Sequence, residues 1–100
     1  PGSLLLLDVR PVEAFEKWHI RGAVSYPPAQ LSHSTNNLPK DIYYFKGERD
    51  SSKMVVLYDD DGLSATRAGN HLVQQGVDNT YVINGGLKEF APRFPRMLEG

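Results

Sequence analysis

One hundred residues, 40% of them apolar, with both charge signs interspersed to a net charge of −1, make up one folded domain. That balance argues against a disordered segment, a nucleic-acid binder or a polybasic membrane-surface element. No apolar run approaches the roughly 18 residues that span a bilayer. With no cysteine in the sequence, disulfides, thiol nucleophiles and thiolate metal ligands are absent together, as suits a cytoplasmic chain.

In chain order, Pro1-Gly2-Ser3 leads at once into an apolar run at residues 4–9, which reads as a strand. So abrupt a start predicts that residues 1–100 are one domain taken from a longer protein. Asp8 stands at the strand's end, where a carboxylate accepts amides of the following turn, and Arg10 is placed to pair with it. Pro11 suits the first turn of a helix, with Phe15 and Trp18 on one face and an end before Gly22. His19 reads as a hydrogen-bonding residue beside the tight turn at Gly22. A short strand follows at 23–26.

Residues 27–52 are the least regular stretch. They hold Pro27-Pro28, a polar run at 32–37 and a helix predicted over 38–46. Tyr43-Tyr44-Phe45 there reads either as an interaction patch or as cover for the sheet. Residues 54–58 form a second apolar strand, and 63–75 the longest helical pattern. Its apolar stripe is Ala65, Ala68, Leu72 and Val73, and Gly76 stops it. Residues 81–83 form another strand. Gly85-Gly86 then allows positive φ or a close backbone approach before a last helix at 87–93. The main strands are continuously apolar, which predicts a parallel sheet covered on both faces, in an α/β fold with right-handed crossovers. His33 and His71 have no partner at metal-ligand spacing. Lys88, Arg93 and Arg96 put some positive charge near the C-terminus, which reads as a solvated face or as a contact for an acidic segment.

The chemistry-bearing pattern is Asp59-Asp60-Asp61-Gly62-Leu63-Ser64-Ala65, between the strand and the long helix. Carboxylates there accept the orphan amides of a helix N-terminus and complement its dipole. Clustered oxygens also suit a divalent cation. Residues 55–62 also resemble the first motif of haloacid-dehalogenase-type phosphatases, which would imply a magnesium-dependent phosphatase with Asp59 as nucleophile and Asp61 as proton donor. That motif opens its domain, whereas here only 39 residues follow Asp61, without a second paired acidic motif.

Three separated pieces carry a resemblance. They are Leu7-Asp8-Val9-Arg10 with Glu13, Phe15 and His19-Ile20-Arg21-Gly22-Ala23; then residues 55–65; then Val82-Ile83-Asn84-Gly85-Gly86-Leu87. In that order they resemble the rhodanese-like (sulfurtransferase) family over about nine tenths of the chain. The resemblance implies an α/β fold with a parallel sheet and helices on both faces. It also implies that the usual first strand and helix of the fold are missing from the chain, which begins inside the fold. Asp8, Arg10, His19, Gly22, Gly85 and Gly86 would be signature residues of the fold. Active members carry a cysteine after the central strand, then glycine three positions on and arginine two beyond. Loop amides stabilise that cysteine's thiolate and persulfide.

Here Asp59 stands for the cysteine and Ser64 for the arginine, with Gly62 in place. A carboxylate cannot form a persulfide, so the resemblance implies no enzyme, no cofactor and no metal. Leu57-Tyr58-Asp59 with Asp61, together with Ser25-Tyr26-Pro27, Gly85-Gly86-Leu87-Lys88 and Phe94-Pro95, resembles centrosomal and basal-body members linked to tubulin glutamylation. That implies a binding or structural module of cilia or centrioles. Its partners would be proteins, microtubules or a tubulin polyglutamylase among them, and neither nucleic acid nor membrane.

Overall fold

The computed structural model describes residues 4–27, 40–45 and 52–100. In chain order the elements are β1 (Leu4–Asp8), α1 (Val12–Lys17), β2 (His19–Ile20), β3 (Val24–Ser25), α2 (Lys40–Phe45), β4 (Met54–Tyr58), α3 (Leu63–Gln74), β5 (Thr80–Val82), α4 (Gly86–Arg93), a 3-10 turn at Pro95–Met97 and β6 (Leu98–Glu99). Four strands form one sheet in the order β3-β1-β4-β5. Every pairing in it is parallel, with Leu4 opposite Met54, Asp8 opposite Tyr58 and Val55 opposite Thr80. Parallel neighbours cannot be joined by a tight turn, so the chain leaves the sheet between strands and returns through helices.

The sheet buries both faces, as its apolar runs predict. On one, Leu5, Leu7, Val55 and Leu57 pack with Ile42 of α2 and with Ala65, Ala68 and Leu72 of α3. On the other, Leu6 and Tyr58 pack with Ile20, Leu87, Ile83, Phe90 and Leu98. Burial of one side chain such as Leu72, wholly hidden, contributes roughly 1.5–3 kcal/mol. Asn79, also fully buried, donates from Nδ2 to Phe45 O at 2.7 Å and Lys53 O at 2.9 Å, tying α2 to the start of β4.

Several expectations are corrected. Val73 is not part of the α3 stripe: it is 46% exposed, and Gly69 takes the buried place. A Cβ at Gly69 would lie 3.1 Å from Val82 Cγ2, so the bare backbone lets α3 approach β5 closely. The first helix is shorter than expected and buries none of its residues. It stops at Lys17 because Trp18 is extended (φ −170°, ψ 153°) and His19–Ile20 pair antiparallel with Leu98–Glu99. Two strands shift by a residue, the first ending at Asp8 and the β5 run starting at Thr80. Tyr43 and Tyr44 are exposed while Phe45 packs on the core. His33, the polar run at 32–37 and the ends of the helix expected at 38–46 lie outside the described residues.

Candidate functional site

Strand β4 delivers Asp59 to its C-terminal end, and the chain must turn there into α3. The first amides of a helix have no partner inside it. Asp59 supplies one: Oδ1 accepts from Gly62 N at 2.6 Å and Oδ2 from Ser64 N at 2.9 Å. The carboxylate is only 6% exposed, so these charge-assisted bonds form in a dry setting where they are strong. Asp61 Oδ1 adds a bond from Leu63 N at 3.0 Å. Asp59 and Asp61 thus cap the helix as expected, with its dipole favouring their charge, whereas the Asp60 side chain accepts no amide among the described residues and faces Arg10.

The other side of the loop is fastened by α4. Leu87 N and Lys88 N donate to the carbonyls of Asp59 and Asp60, each at 2.8 Å. Gly86 makes this approach possible. It has φ 61°, and a Cβ there would sit 2.6 Å from Asp59 O. Residues 28 positions apart in sequence, Asp59 with Leu87 and Asp60 with Lys88, thus form one unit because two strand ends lie side by side.

Asp8 and Arg10 brace the same unit. Arg10 Nε and Nη2 grip the Asp8 carboxylate at 3.0 and 2.7 Å, and Nη2 also donates to Trp18 O at 2.6 Å. The guanidinium stacks 5.2 Å from the Trp18 ring centre and reaches Asp60 at 3.6 Å. Burial works against its charge, but the hydrogen bond and attraction of Asp8, with help from Tyr58 and Asp60, more than offset that and raise its pKa. Tyr58 completes the cluster. Its hydroxyl accepts from Ile20 N at 3.0 Å, and burial, then its bond with Asp8, pushes the phenol's pKa up.

Of the signature residues, Asp8, Arg10, Gly85 and Gly86 converge on residues 59–65. His19 and Gly22 do not. His19 stacks on Phe15 at 3.8 Å, holds Phe15 O through Nδ1 at 2.8 Å and faces Glu99 at 3.3 Å, in the β2–β6 pair. Gly22 forms the turn between β2 and β3, with φ 87°. The sequence reading missed Tyr58 and the wall formed by Trp18. The one signal for Tyr58 is a hydroxyl at the end of an otherwise apolar strand. Among the described residues no group of three His, Asp or Glu is disposed to hold a metal ion.

Two shallow concavities flank the loop. One, about 540 Å³, lies between Trp18, Asp60 and α4; the other, about 410 Å³, lies between Leu63, Thr66 and the end of β5. Asp61 borders both.

A parallel α/β sheet with a strand–loop–helix site at its carboxyl edge defines the class, and residues 1–92 match the family model of the Rhodanese-like domain. The chain belongs to that family. Among curated proteins it is 40% identical to the centrosomal protein of 41 kDa of Rattus norvegicus and to that of Homo sapiens, over 94% of its length in each case. The match covers 27% of the rat protein and 25% of the human one, so the chain spans about a quarter of these relatives. Among solved structures, the rhodanese-like domain of an Anabaena protein superposes with a TM-score of 0.71 at 20% identity, covering 98% of this chain and 82% of that one, a likeness of fold.

Proposed function

We propose that this domain is a non-catalytic binding or structural module of the centrosome and ciliary cytoskeleton, with protein partners among microtubules or the enzymes that glutamylate tubulin. The observation that carries the non-catalytic part is the Asp59 carboxylate bound to its own loop amides. An incoming thiosulfate or phosphate ester would have to compete with a built-in anion for Gly62 N and Ser64 N. It would also meet the charge of Asp60 and Asp61. Asp59 stands where active members of the family carry their cysteine, and a carboxylate cannot take up sulfane sulfur. Nor is it a ready nucleophile for phosphoryl transfer, because each oxygen is already engaged and attack would first cost the loop an amide bond. The cytoskeletal part rests on the likeness to the centrosomal relatives.

One experiment with two readings tests this. The purified chain is incubated with thiosulfate and cyanide, and is sedimented with axonemal doublet microtubules. Thiocyanate should form at the uncatalysed rate, and protein should pellet with the doublets. Thiocyanate above background, or magnesium-dependent hydrolysis of a phosphate ester that Asp59→Asn abolishes, would overturn the non-catalytic reading. Protein staying in the supernatant would overturn the cytoskeletal one.

A further inference from the structure

The two concavities beside the loop lie on either side of Asp61, which lines both, and their linings differ in character. On one side Trp18, Ala91 and Pro92 offer apolar surface. On the other Leu63, 70% exposed on the first turn of α3, lies beside Val82 and Ile83. Between them stand Asp61 and the exposed Asp60, whose side chain keeps 76% of its surface in water and meets Arg10 only at 3.6 Å. Asp59 adds a third negative charge just below the surface. An exposed leucine on one side of the carboxylates and an aromatic wall on the other make a surface complementary to a segment of matching order.

We infer that this groove docks an extended partner segment carrying a lysine or arginine between two apolar side chains. The cation would face Asp60 and Asp61, and the apolar neighbours would cover Trp18 and Leu63. The inference deepens the reading above and rests on the loop being a binding element. Its charge logic is the reverse of a sulfurtransferase's, since the mouth of the loop selects cations. Acidic segments, glutamate-rich chains included, are repelled here and would need another face. Lys88, which also lines the first concavity, reduces the negative field without cancelling it.

The test uses the whole 100-residue chain and a short capped peptide with arginine between two leucines, with glutamate in its place as control. Trp18 is the only tryptophan, so its fluorescence reports on the groove, and NMR shifts of the Leu63 and Leu87 amides locate the contact. The arginine peptide should bind saturably and move all three signals, and the glutamate peptide should not. The double variant Asp60→Asn, Asp61→Asn keeps the backbone bonds and an acceptor for Leu63 N. It should weaken binding roughly three- to tenfold, the effect of losing two exposed charge pairs. Equal binding of both peptides, unchanged affinity of the variant, or shifts confined to another face would overturn the assignment. A null result here leaves the sulfur-transfer and sedimentation outcomes untouched, so the two readings fail separately.

Discussion

Asp59 has two structural tasks, ending β4 and starting α3, and both depend on its carboxylate oxygens. Removing them in Asp59→Ala should destabilise the domain by about 1–2 kcal/mol, the worth of a strong helix cap. Asp59→Asn keeps one acceptor and should lose less. Urea unfolding read by Trp18 fluorescence orders the two, with an unchanged slope showing that only stability has moved. Tyr58 gives a second prediction, in the alkaline range. Its phenol pKa is raised in the folded protein above the ordinary value of 10.0, because burial and the Asp8 carboxylate disfavour the phenolate. The unfolded chain therefore loses that proton first. The stabilisation is complete below pH 10 and is lost as pH rises through the folded value. Unfolding free energy measured from pH 9 upward should fall, and Tyr58→Phe should flatten that fall while lowering stability at pH 7 through the unpaired Ile20 amide. The role of Asp59 was readable from three aspartates between a strand and a helix. The role of Tyr58 was not, because its partner Ile20 lies 38 positions away.

Among the elements, the entry into α4 is the most constrained junction. A methyl group at Gly86 would strike the Asp59 and Asp60 backbone at 2.6–2.7 Å with φ already at 61°. Gly86→Ala should therefore cost roughly 3–5 kcal/mol, strain and overlap together. Gly22 has a comparable φ of 87° but nothing within 4 Å of its would-be Cβ. Gly22→Ala should cost only about 1–2 kcal/mol, the backbone term alone. Thermal melts of the pair separate the two causes, at about 4–8 °C per kcal/mol in a domain of this size. Elements that are apolar in themselves were legible, as β4 and α3 show to within a residue. The end of α1 was not: Trp18 leaves the helix because β2 pairs with β6, whose residues lie almost 80 positions on.

For the molecule as a whole, the sheet order decides what the site can be. Placing β1 and β4 side by side brings Asp8, Arg10 and Tyr58 beneath the loop, and placing β5 next to β4 swings α4 onto the loop's carbonyls. The outcome is a turn whose amides are taken up by its own carboxylates, with two shallow concavities outside it. The sequence by itself determined the fold class, the strand–loop–helix position of the aspartates and the lack of any thiol, because periodicity and residue chemistry are local properties. Only the tertiary structure decided that Asp59 spends both oxygens on its own helix, that Arg10 and Tyr58 are buried together with Asp8, and that Trp18 and Leu63 flank the acidic mouth. Those facts depend on which strands become neighbours, and long-range burial fixes that across distances no local pattern records.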